Sequence, residues 1–164
     1  MTAPLPELLV PLIEQIGDEW CWAACAQMAL RYYKDLGTRQ CDLAHDFLGL
    51  VIDCCTPGLP PFDCDKPCKP KDVAGIYSGR GLSASRLNGV ATFSEIEDEI
   101  ANRRPVEIAL QKDSSTGHLI IVKWAGTELG EEWVKTNDPY PEESLLLYTE
   151  LLNQNAFDSW TGIE

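Results

Sequence analysis

In the stretch EQIGDEWCWAACAQM, Glu14 to Met28, one cysteine, Cys21, stands between two tryptophans, and a glutamine, Gln15, lies six residues before it. From Cys21, the residues Cys25, Met28, Ala29 and Tyr32 recur at helical spacing. This predicts a helix over Trp22 to Lys34 with one buried face, and it puts Cys21 in the first turn. Unpaired N–H groups and the positive end of the helix dipole favour a thiolate there, with Asp18 as the predicted cap. A thiolate that attacks a carbonyl creates an oxyanion, which needs hydrogen-bond donors. The backbone N–H of Cys21 and the primary amide of Gln15 would supply two.

The motif Gln15-x5-Cys21-Trp22-Ala23 resembles papain-like cysteine peptidases, most closely the compact bacterial branch that includes avirulence-effector and bacteriocin-leader peptidases. The resemblance implies a histidine on one strand and an Asn or Asp on the next. These fall, in the right order, on His118 in GHLIIV and on Asn137-Asp138 in VKTNDP. Alternation along a strand lets only one of those two neighbours face His118. Asp138-Pro139 is similar to the Asp-Pro that ends this strand in compact bacterial relatives, so Asp138 is the expected third residue and Asn137 the alternative. Where plant-type enzymes have Cys-Gly-Ser, this chain has Asp18-Glu19-Trp20, which also points to the compact branch.

What the resemblance implies is a covalent mechanism. His118 takes the proton of Cys21, the thiolate attacks a carbonyl to form a thioester, and His118 protonates the leaving amine while the third residue orients the imidazole. The expected activity is that of a cysteine endopeptidase acting on a protein or peptide, with no cofactor and no metal. Papain-like sites also serve deamidases, transglutaminases and peptide-bond transferases, and a non-catalytic cysteine-rich binding domain is the third reading.

These residues need a helix and a sheet to position them. Ala3 to Ile13 reads as an extended lead-in, because its prolines exclude helix. A second short helix is expected over Cys41 to Leu50, with His45 in it as an ordinary histidine. Ile52 to Pro70 holds four cysteines and five prolines and reads as a stapled loop. With Cys21 set aside, Cys25, Cys41, Cys54, Cys55, Cys64 and Cys68 are available for disulfides, in connectivities that the sequence leaves open. Zinc held by Cys54, Cys55, Cys64 and Cys68 is the lesser alternative, since adjacent side chains diverge. Lys71 to Tyr77 reads as a short helix, and Ser94-Glu95-Ile96-Glu97 as the capping box of a helix running to Asn102. Strands are expected over Val106 to Gln111, His118 to Trp124, Glu131 to Thr136 and Ser144 to Thr149, with Ala156 to Trp160 tucking its aromatics onto the body. Helices first and sheet second describe an α+β, papain-like domain over 1–164, an N-terminal helical layer carrying the nucleophile on a C-terminal antiparallel sheet.

Composition narrows the partners. A chain of 164 residues, 45% hydrophobic, has room for one core. A formal charge of −13 gives no footprint for phosphate backbones and would repel an anionic membrane, so neither nucleic acid nor membrane is an expected partner. The start has no basic n-region and three prolines, unlike a signal peptide. The expectation is a monomer, cytoplasmic or exported without a conventional signal.

Overall fold

A computed structural model describes residues 4–113 and 117–164. Ala3, at the start of the predicted lead-in, lies outside the described residues. The first helix, α1 (Cys21–Tyr32), opens on the cysteine itself. Its burial is more complete than one face: every residue from Trp22 to Leu30 is buried. The run of alanines makes this possible, since small side chains let neighbouring elements close in from several sides. The N-cap is Trp20, with no side-chain cap bond, rather than Asp18.

Helix α2 (Gln40–Leu48) ends on Gly49, whose φ of 61° is the left-handed conformation that stops a helix. After the cysteine-rich loop, a 3-10 turn (Pro70–Asp72) leads into α3 (Val73–Ser78). Helix α4 (Phe93–Ala101) has its capping box two residues earlier than the sequence suggests. Thr92, in extended conformation, caps it reciprocally with Glu95. Ser94 already lies inside the helix, and Ile96 and Ile100 supply the buried stripe as expected.

The sheet is antiparallel throughout, in the order β1-β6-β2-β3-β4-β5. Its strands are β1 (Ser85–Arg86), β2 (Val106–Gln111), β3 (Gly117–Glu128), β4 (Glu131–Asp138), β5 (Glu142–Leu147) and β6 (Ala156–Thr161). The last predicted strand stops at Leu147, where the Glu150 carboxylate accepts from the Leu147 N–H and starts α5 (Tyr148–Asn153). The C-terminal aromatics arrive as strand β6, inserted between β1 and β2, with Trp160 buried and Phe157 partly exposed. Buried side chains of helices and sheet form one contiguous core.

The lead-in segment has no regular structure but crosses the sheet on specific bonds. Leu8 N–H donates to Lys123 O (3.0 Å), Trp124 Nε1 to Leu5 O (2.9 Å), Asn137 Nδ2 to Val10 O (3.0 Å) and Gln15 N–H to Pro139 O (2.9 Å). It thus delivers Cys21 to the end of the sheet where β3 begins and β4 finishes.

Two disulfides staple the cysteine-rich loop: Cys41–Cys55 ties it to α2, and Cys54–Cys64 closes it on itself. Adjacent Cys54 and Cys55 do diverge, each to its own partner. Three of the four thiolates of the zinc alternative are consumed in this way. Cys25 and Cys68, counted as disulfide candidates in the sequence, are free. Cys25 is fully buried in α1, where its Sγ donates to Leu119 O (3.3 Å), and Cys68 Sγ donates to Lys69 O (3.3 Å).

Candidate active site

The loop from Gln15 to Trp20 sets the position of Cys21, and a buried glutamine holds that loop. Gln40 Oε1 accepts from Ile16 N–H (2.9 Å), and its Nε2 donates to Glu14 O (2.8 Å). The Asp65 carboxylate accepts from the N–H groups of Asp18 (3.2 Å) and Glu19 (2.8 Å). Gly17 is required here, since a Cβ would lie 2.7 Å from Asp65 Oδ1 and 2.8 Å from Trp20 Cγ. Both flanking tryptophans hydrogen-bond to the stapled loop: Trp20 Nε1 to Cys64 O (2.8 Å) and Trp22 Nε1 to Lys66 O (3.0 Å). The tryptophans therefore join the helix that opens on Cys21 to the loop that walls the cleft.

His118 stands near the start of β3 and is buried. Its Nε2 lies 2.6 Å from Asp138 Oδ1, at the end of β4. The bond to Nε2 leaves Nδ1 as the nitrogen free for other chemistry. Register explains which acidic or amide neighbour is used. Ile121 pairs with Asn137, so Asn137 and Asp138 fall on opposite faces. Asn137 is fully buried and spends its Nδ2 on the lead-in segment. Tyr140, which sequence reading missed, completes the arrangement. Its ring stacks on the imidazole at 4.8 Å and 7°, and its N–H donates to Asp138 Oδ1 (2.9 Å). Its one sequence signal is position, two residues past Asp138 and beyond the end of β4.

Cys21 and His118 line one cleft of about 680 Å³. Its other walls include Trp22, Cys68, Val73, Ala109, Phe157 and Trp160, and Glu19 lies at its margin. His45, in α2, is not among the residues lining this cleft; its Nδ1 lies 3.3 Å from Ile52 O. Nor is Gln15, whose Nε2 donates to Gly17 O (2.9 Å) and Asp18 O (2.7 Å) while its Oε1 is buried without a partner.

The electrostatics of Cys21 differ from the sequence expectation. Burial pushes the thiol up to about 11, and Glu107 and Glu19 add to the rise, against opposing backbone hydrogen bonds at Leu119 and Trp22. Desolvation outweighs the helix dipole, so a solitary thiolate is disfavoured and the charge needs an imidazolium beside it. Cys68 is raised further, again chiefly by burial. Under the cleft, Glu107 is buried, and loss of solvation pushes its carboxyl up to about 8 despite the hydroxyl of Tyr77, 2.5 Å from Oε2.

Comparison with known proteins agrees with this geometry at the level of fold. The sequence model of the Peptidase_C39 like family matches residues 7–163. No curated protein matches. Among solved structures, a double glycine motif protease from an AMS/PCAT transporter, in complex with the leader peptide, is 17% identical and superposes with a TM-score of 0.60, covering 99% of each chain. The peptidase domain of Streptococcus ComA, a bi-functional ABC transporter involved in quorum sensing, is 11% identical with a TM-score of 0.58, over 92% of this chain and 96% of that one. A structure from work on the mite allergens Blo t 1 and Der p 1 is 10% identical with a TM-score of 0.64, over 99% of this chain and 72% of that one.

Proposed function

Given that the chain belongs to the Peptidase_C39 like family and has a papain-like α+β fold, we propose that it is a cysteine endopeptidase with Cys21 as nucleophile, His118 as base and acid, and Asp138 as the residue that orients the imidazole. The observation that carries this reading is the arrangement in one cleft: Cys21 at a helix start, His118 on the facing strand, and Asp138 on Nε2 at 2.6 Å. In it, Nδ1 accepts the Cys21 proton as the thiolate attacks the substrate carbonyl. The imidazolium, held by Asp138, then returns that proton to the leaving amine, and water hydrolyses the thioester in a second cycle through the same nitrogen.

The oxyanion that forms falls to the backbone N–H of Cys21 and to the Gln15 amide. For Gln15 to donate, its Nε2 must turn from the Gly17 and Asp18 carbonyls. A leader or other peptide is the substrate class, since one structural relative was solved with its leader peptide bound.

Site-mapped alkylation of Cys21 by iodoacetamide against pH is the test. In His118→Ala, labelling should follow the buried thiol and rise only towards pH 11. In the parent, the ion pair should allow labelling at neutral pH. Identical profiles for the two proteins would refute the dyad.

A further inference from the structure

The mechanism leaves one buried acid unused. Among the described residues the buried carboxylates are Asp158 and Glu107. Asp158 has a countercharge, Arg86 Nε at 2.6 Å. Glu107 has the Tyr77 hydroxyl on Oε2, and its Oε1 is buried without a partner. Buried charge is ordinarily matched by an opposite charge, so Glu107 is a carboxylate with half its hydrogen-bonding capacity open and no base beside it.

Its place in the fold explains what could supply the base. Glu107, Ala109 and Gln111 alternate along one face of β2, and Ala109 and Gln111 line the cleft. Glu107 is the next step of that row, inward. Directly across from it on β6 is Trp160, another cleft residue. On α3, Val73 lines the cleft and Tyr77, one turn on, holds Glu107. Its carboxyl also acts electrostatically on Cys21 and Cys68, the two thiols lining the cleft. Ala109, Val73 and Trp160 thus form the wall between the cleft and a buried acid that has no countercharge and does not itself line the cleft.

We propose that Glu107 is a specificity-determining residue: the cleft accepts a substrate side chain with an apolar stem and a basic tip, lysine or arginine, whose cation becomes the countercharge of Glu107. This rests on the peptidase reading of the cleft. The methylenes of such a side chain would run along Ala109, Val73 and Trp160, which must part for the tip to donate to the buried Oε1. The chain's formal charge of −13 draws basic peptides in general, and Glu107 selects where their cation sits. The groups facing Glu107 are Tyr77 from α3, Cys21 and Cys25 from α1 and Cys68 from the loop, none of them cationic. At neutral pH the empty site therefore holds the proton on Glu107, and an entering cation displaces it to the buffer.

The test is calorimetric and needs no turnover. Acetyl-Gly-X-Gly-Gly amides, with X as Arg, Lys, Gln or norleucine, are titrated into the full chain carrying Cys21→Ser, with and without Glu107→Gln. The Arg and Lys peptides should bind at least about tenfold tighter than the norleucine peptide, and the advantage should fall to about twofold in Glu107→Gln. Binding at pH 7 should release a proton, read as a dependence of the heat on the buffer, and that release should vanish in Glu107→Gln. Trp160 Nε1 is also buried without a partner, which is why the Gln peptide is included. Tightest binding of Gln, equal binding of norleucine and Arg, no binding of any peptide, or an Arg advantage that survives Glu107→Gln would each overturn the proposal. If Glu107→Gln does not fold, the side-chain series and the proton release in the otherwise unchanged chain still decide. Alkylation of Cys21 tests the peptidase reading separately, so the two can fail independently.

Discussion

At the level of single residues, the proposed mechanism depends on keeping one imidazole nitrogen occupied and the other available. Tyr140 contributes to the first by covering the ring and donating its N–H to the same carboxylate oxygen that holds His118. An aromatic stacking contact is worth about 0.5–1.5 kcal/mol, so Tyr140→Ala should lower kcat/KM by about two- to tenfold, with Tyr140→Phe near the parent because the stacked ring is kept. Peptide hydrolysis rates decide it. Removing His118 altogether should cost about 10²–10⁴ in rate.

Glu107 gives a second residue-level prediction, this time in stability. Its carboxyl titrates near 4.5 when solvated and about 8 in the fold. Between those values the folded chain holds a proton that the unfolded chain has released, so stability falls as pH rises through that window. Glu107→Gln removes this dependence. Denaturant unfolding at pH 5 and pH 8.5 should show the parent losing about 2–4 kcal/mol relative to the variant.

Cys21 was legible from the sequence because its neighbours carry helical spacing, and the stretch with Gln15 is local. His118 and Asp138 were legible through order and resemblance, and their juxtaposition follows from register. Glu107 was not legible. A glutamate in the run VEIALQ reads as the outward position of a strand, and it is buried by tertiary structure, with Tyr77 of α3 bonded to it and Trp160 opposite it on the neighbouring strand β6. The direction of the Cys21 shift was also out of reach, since the helix-start argument is local and burial is not.

Among the elements, α1 and β3 do the positioning, and they meet through Cys25 and Leu119. This bond sits one turn behind Cys21 and one residue beyond His118, so it ties the helix of the proposed nucleophile directly to the strand of the proposed base. Cys25→Ser should keep the bond with a smaller atom in an apolar setting, whereas Cys25→Leu should overfill it. Overpacking of a close-packed core costs about 1–3 kcal/mol, and the loss should be visible in thermal melts of Cys25→Leu. Helix α4 tests a different kind of local rule. The sequence reading placed the capping box at Ser94-x2-Glu97, whereas the chain turns into the helix two residues earlier, with Thr92 and Glu95 as the box and Phe93 buried beside Tyr148. The strand β6 was missed as a strand because its pairing partners, β1 and β2, are distant in sequence.

For the whole molecule, the arrangement is a helical layer and an antiparallel sheet with the cleft at their junction, and a disulfide-stapled loop completing one wall. That order of elements was readable from the change of periodicity after Arg104-Pro105. The connectivity of the cysteines was not, because six candidates allow many pairings and the selection is made by tertiary approach.

The staples also set the conditions under which this protein can be assayed. On the proposed mechanism Cys21 must be kept reduced, yet the same reductant attacks Cys41–Cys55, whose two cysteines are both partly exposed, while Cys54–Cys64 is buried. Loosening that loop releases the carbonyls of Cys64 and Lys66 that hold Trp20 and Trp22 on either side of the nucleophile. Activity should therefore rise and then fall as thiol reductant is increased. Mild reductant would recover an oxidised Cys21, and strong reductant would dismantle the wall beside it, so an assay at a single high concentration would miss the proposed activity.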